Sequence, residues 1–146
     1  MVEVTVAEKH VPGVPRRLPR VRSGYRVDVE ISGTEFGVTI TVDDHGQLGA
    51  VDIDHSKHGT VTHGLTTALG ELLSAALAHG MTVEEFVHRF LHTRFEPFGI
   101  TTGDPDIDWS SSPMDYLARR LALDFLPLRR QVELGVTHPD TAAPIW

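Results

Sequence analysis

Hydrophobic and polar positions alternate with period two at the start of the folded region, where Arg26, Asp28 and Glu30 separate Tyr25, Val27, Val29 and Ile31. That pattern predicts a half-buried strand. A turn at Ser32-Gly33-Thr34-Glu35 leads into a second alternation, Phe36, Val38, Ile40 and Val42 against Gly37, Thr39 and Thr41. Asp43-Asp44-His45-Gly46-Gln47 fits a glycine-containing hairpin loop, and a third strand over Leu48–Asp54 keeps Val51 and Ile53 on one face. Three short strands joined by tight loops make an antiparallel meander whose apolar face needs a cover.

The period then changes to that of a helix. Val61, Leu65, Ala68, Leu69, Leu72, Ala76 and Leu77 form one stripe, which is expected to be the buried face, and Gly80 stands where a C-terminal cap belongs. Thr82-Val83-Glu84-Glu85 is a capping box, with Val83, Phe86, Val87, Phe90 and Leu91 as the apolar face behind it. Ser112-Pro113 starts a last helix with core positions Met114, Leu117, Leu121 and Phe125, and Pro127 ends it. The fold class is therefore α+β: a three-stranded meander packed by about three helices. Thr93–Ser111 shows no periodicity, but its Phe95, Phe98 and Trp109 argue for one long ordered loop.

Pro12, Gly13, Pro15 and Pro19 break any regular element in residues 1–22, which read as a flexible basic arm; 23–130 is the domain and 131–146 an irregular tail. The 146 residues suffice for one domain with its own core. Charge is unevenly placed: residues 1–26 hold six basic and two acidic side chains, whereas the whole chain carries a formal −7. A basic arm on an acidic body suits an acidic partner, nucleic acid included, although the acidic body argues against that class and a solvated arm is the plainer reading. The chain has no cysteine, so disulfides, thiolate metal sites and thiol catalysis are excluded. The first residues lack a signal-peptide pattern and no stretch reads as a membrane span, which points to the cytoplasm.

Candidate chemistry is sparse. His88 and His92, spaced i, i+4, suggest a metal pair, but Arg89 stands where a zincin needs its general base, and a solvated polar helix face explains both. Ser110-Ser111-Ser112 has no nucleophile elbow around it and reads as a cap. Lys57-His58-Gly59-Thr60 before a helix can cradle a phosphate through exposed amides, though a tight turn on Gly59 is the simpler account. In His92-Thr93-Arg94-Phe95-Glu96-Pro97, Arg94 and Glu96 either form an ion pair that pins the loop, or Arg94 offers a planar fork to a phosphate or carboxylate.

The last segment, with Gly103-Asp104-Pro105-Asp106-Ile107 and Ser112-Pro113-Met114-Asp115-Tyr116, resembles the C-terminal region of long adenosylcobalamin-dependent (class II) ribonucleotide reductases. The pattern there reads HTRFEPSG, a GNPEI-like stretch, then SIMDY. Lys57–Leu65 resembles the family's KEGSTVSGL, and Arg17-Leu18-Pro19 resembles the opening of the same domain, often called TSCPD-like. The likeness covers about residues 16–128 and leaves out the barrel and the active-site cysteines that the radical chemistry needs. It implies a non-catalytic accessory or regulatory domain as a stand-alone protein, not an enzyme, binding a nucleotide or the reductase. Adenosylcobalamin belongs to the full-length enzyme, and no cofactor is expected on this chain. The candidate ligand site is Lys57, Gly59, Thr60, His92, Arg94, Glu96, Asp115 and Tyr116, which converge only if the loop after His92 folds back over the strand-to-helix turn. Two alternatives are a nucleic-acid module using Arg16–Arg26 and a homo-oligomer using the small residues Gly64, Ala68, Ala75 and Ala78.

Overall fold

The computed structural model describes residues 13–55 and 59–137. The fold is α+β, and the expected meander is present as β1 (Ser23–Ile31), β2 (Thr34–Val42) and β3 (Leu48–His55). A two-residue turn at Ser32-Gly33 sets the register Val29↔Phe36 and Val27↔Val38, and β2 carries it on as Val38↔Ile53 and Ile40↔Val51. The large apolar residues from Val29 to Ile53 thus share one face, and Val29, Ile31, Phe36, Val38, Ile40, Val51 and Ile53 are buried. The opposite face is polar: Arg26 reaches across β2, over the side-chain-free Gly37, to bond Asp54 at 2.7 and 3.1 Å.

The long loop is where the expectation is extended. It folds into two further short strands, β4 (Gly99–Thr102) and β5 (Trp109–Ser110), giving an antiparallel sheet of order β3-β2-β1-β4-β5. Strands of four and two residues are too short for an alternation to stand out. The loop between them can turn back against β1 because Gly103 has φ +95° and no Cβ. A Cβ there would lie 2.4 Å from the Asp28 carbonyl oxygen.

Three helices lie where they were expected, two of them behind the expected caps. α1 (Val61–Ala78) is capped by the Thr60 hydroxyl on the His63 amide, and α2 (Val83–Phe90) by Thr82 on Glu85. α3 (Pro113–Phe125) is capped by Ser112 on Asp115 with Pro113 in its first turn. A fourth helix, α4 (Leu128–Leu134), runs from the end of the expected domain into the tail that was expected to be irregular from residue 131; Pro127 precedes its first turn and Gly135 ends it in the left-handed conformation. The arm also differs from expectation at Arg16. Its amide donates to the Ala78 carbonyl at 2.7 Å and its guanidinium pairs with Asp43 at 3.2 Å, so the chain is tied to the body from there on. Residues 1–12 and 138–146 of the expected arm and tail lie outside the described residues.

The orientation of α1 corrects the sequence reading. Its buried positions are Thr66, Gly70, Leu73 and Leu77, while Val61, Leu65 and Leu72 are 78%, 66% and 69% exposed. The cause is what α1 packs against. β3 is an outer strand, and its free edge offers backbone polar groups rather than apolar side chains. The Ser74 hydroxyl accepts from the Val51 amide at 3.0 Å and donates to the Val51 carbonyl at 2.9 Å. Gly70 sits so close that a Cβ would lie 3.1 Å from the Ile53 nitrogen. Gly70 and Ser74 therefore face the β3 edge, Leu73 and Leu77 reach the core beside them, and Val61, Leu65 and Leu72 are turned out.

Candidate functional site

α3 positions most of the chemistry-bearing side chains. Asp115 stands in its first turn with no exposed surface. Its carboxylate accepts from the His92 amide at 2.6 Å, the Ser111 amide at 2.9 Å and Arg119 Nε, one turn on, at 2.9 Å. His92 itself has φ +69°, unusual for a residue with a Cβ, and the Asp115 bond holds it there. The Phe95 amide donates to the Ser111 carbonyl at 3.2 Å, so the segment after α2 is tied to α3 at two points.

One residue further along, α3 secures the other loop. The buried Tyr116 hydroxyl donates to Asp104 at 2.7 Å, and Arg120 Nη1 donates to both Asp104 oxygens at 2.9 and 3.0 Å and to Asp106 at 3.0 Å. Nη2 of the same guanidinium bonds Asp124 at 2.7 Å, and the Tyr25 hydroxyl donates to that carboxylate from β1. Burial, then the bond to Asp104, pushes the Tyr116 phenol above its ordinary range. Burial alone would raise the Asp104 carboxyl. The Asp106 amide, the Tyr116 hydroxyl and Arg120 outweigh it and hold the group below its usual 3.8. On acidification the unfolded chain therefore takes up this proton first. The stability that Asp104 supplies is whole at neutral pH and is lost as pH falls from about 3.8 through the lower folded value. Urea midpoints measured from pH 5 to pH 3 should fall, and the fall should be smaller in Asp104→Asn; an equal fall in both excludes Asp104 as a source.

The predicted ligand residues thus separate into two groups. His92, Asp115 and Tyr116 serve the internal network, and both Asp115 and Tyr116 are buried. Arg94 is exposed and stacked over the Phe98 ring at 4.7 Å; the ion pair with Glu96, one of the two readings of the sequence, is not formed. Glu96 and Thr60 both line a cleft of about 850 Å³ with Ser32, Thr34, Glu35, His55 and Phe98. Gly59, φ +79°, makes the turn before Thr60, and Lys57 lies outside the described residues. The cleft shares Thr62, Glu96 and Pro97 with an apolar groove of about 470 Å³, walled by Leu65, Leu69, Phe90, Phe95 and Met114.

The metal alternative loses its premise. α2 ends at Phe90, so His92 is not one helical turn from His88. Among the described residues no group of three His, Cys, Asp or Glu is placed to hold an ion. Sequence reasoning missed Arg120 and Arg119. The signal was there: arginines four residues after Tyr116 and Asp115, with Asp124 four residues after Arg120.

Among the described residues no helix is long and apolar enough to cross a membrane. A family model described as "TSCPD domain" matches residues 11–125. The chain is 37% identical over 123 residues to a vitamin B12-dependent ribonucleotide reductase of Streptantibioticus cattleyicolor, covering 84% of this chain and 20% of that protein. For the reductase of the same name from Streptomyces coelicolor the identity is again 37%, over 84% of this chain and 13% of the relative. That of Rhodopirellula baltica is 34% identical over 75% of this chain and 10% of the relative. The chain thus spans a fifth or less of these relatives. No solved structure matches.

Proposed function

The chain belongs to the TSCPD domain family, and from that premise we propose that it is a non-catalytic accessory module of ribonucleotide reduction that acts in the cytoplasm by docking on a vitamin B12-dependent reductase. The carrying observation is the destination of the family-like motifs. The segments around His92, Asp104 and Asp115 spend their polar groups on one another. What the domain turns outward is binding surface: an apolar groove beside α1, with Leu65 and Phe95 partly in solvent. The absence of cysteine from the whole chain fits a part without radical chemistry. The cofactor in the relatives' name is assigned on this reading to the large part of those proteins that the chain does not match.

A second reading, a nucleotide in the cleft of Thr60 and Glu96, is favoured by their meeting in a cleft of sufficient size. Against it stand Glu35 and Glu96, two carboxylates in a lining that would receive phosphate.

Titrating the full chain into a purified reductase of this class, followed by calorimetry, tests the docking. Saturable binding with Kd at or below about 10 μM, roughly −7 kcal/mol, is expected. A thermal-shift screen with ribonucleotides, deoxyribonucleotides and adenosylcobalamin runs beside it. A ligand at a hundred times its Kd adds about 2.7 kcal/mol. No heat with the reductase, together with a nucleotide shift abolished by Thr60→Val, replaces the first reading by the second. Silence in both assays overturns the two together.

A further inference from the structure

On the docking reading above, on which this rests, we propose that the reductase segment seated here carries a bulky apolar side chain and, close to it in sequence, an arginine. The apolar group fills the groove beside α1, and the guanidinium enters the adjoining cleft between Glu35 and Glu96. The apolar half of that requirement comes from the groove. Leu65 and Phe95 line it and leave 66% and 43% of their surface in water, an exposure that a bulky apolar side chain would remove. The cationic half comes from the cleft. Groove and cleft share Thr62, Glu96 and Pro97, so Glu96 stands at their junction, and Glu35 lines the cleft with it. Among the described residues no cation pairs with either carboxylate. Arg94, two residues before Glu96, lies over the Phe98 ring instead.

Charge selects among the occupants. A nucleic acid, an anionic lipid surface and a second copy of this chain, itself at a formal −7, all bring negative charge to a lining that already holds two carboxylates. A basic segment is drawn in by the same field. The acceptors favour arginine over lysine. Beside Glu35 and Glu96 the cleft is lined by the hydroxyl-bearing Ser32 and Thr34, and a guanidinium meets such a set with a planar fork of N–H donors, more than an ammonium has. Its methylene stem can lie along Thr62 and Pro97, where the lining passes from apolar to polar. The groove alone would accept any apolar segment, and the cleft alone any cation. Their shared wall couples the two demands, and a segment that meets only one of them leaves either apolar surface in water or two carboxylates unpaired.

Calorimetric titration of the full chain into the purified reductase, at a series of sodium chloride concentrations, is the test. Glu35→Gln with Glu96→Gln should raise Kd about tenfold and flatten its salt dependence, because the pairing that salt screens has gone. Leu65→Gln should also raise Kd about tenfold, but with the salt dependence of the parent. At equal ionic strength, arginine hydrochloride should weaken binding to the parent more than sodium chloride does, and binding to the double glutamine variant no more than sodium chloride does. All three positions are exposed, so the melting temperatures of the variants should match that of the parent. Binding that is indifferent to the two glutamines and to arginine overturns the cation in the cleft, and binding indifferent to Leu65→Gln overturns the apolar anchor; either leaves the docking reading standing. No heat with the parent overturns the docking reading itself, and this chemistry with it.

Discussion

Asp115→Ala is expected to lower the stability of the domain by about 3–4 kcal/mol. The carboxylate has no exposed surface and accepts from two backbone amides and one guanidinium. Its removal leaves the amides of His92 and Ser111 without an acceptor, and an orphaned buried donor costs about 1–3 kcal/mol. It also leaves His92 at a positive φ with nothing to hold it there. In a chain of this size, 3–4 kcal/mol corresponds to a fall in melting temperature of about 10 °C. Asp115→Asn keeps one acceptor and should lose about half as much. Urea unfolding of the three proteins checks this, and a loss under 1 kcal/mol for Asp115→Ala removes the network from the account of the fold.

Arg120→Met should cost about 3–5 kcal/mol at neutral pH, for the opposite reason: here the charge that remains is the problem. Asp104 has no exposed side-chain surface and would keep only the Tyr116 hydroxyl and the Asp106 amide as donors. An uncompensated buried carboxylate is more costly than a lost contact. The penalty should therefore shrink as pH is lowered and Asp104 takes up a proton. Pairing Arg120→Met with Asp104→Asn should recover part of the loss at neutral pH. A penalty that is the same at pH 7 and pH 4, and that Asp104→Asn leaves unchanged, excludes the buried charge as its cause.

Both changes fall on groups that the sequence made visible unequally. The strands of the meander were legible because one of their faces is wet, which writes the period of two into residues 25–54. The caps at Thr82 and Ser112 were legible because capping is local chemistry. α1 was legible as a helix but not in its rotation. An apolar stripe ordinarily marks the buried side, whereas here the edge of β3 demanded Gly70 and Ser74, and the stripe of Leu65 and Leu72 was released to solvent. The eight candidate site residues were read as one cluster because the resemblance placed their motifs together. Asp115 and Tyr116 look like reactive groups in a sequence and are interior fastenings in the fold. Only the partner of each hydrogen bond distinguishes the two, and the partners of Asp115 lie as far as 23 residues away.

The seating of α1 on β3 also bears on how the domain behaves in crowded solution. Ser74 occupies both backbone groups of Val51, so an incoming extended peptide finds no free ladder there. The far side of the sheet ends in β5, only two residues long. The β3 border, occupied by Ser74, therefore has little template for strand addition, the route by which sheets of neighbouring molecules fuse into insoluble assemblies.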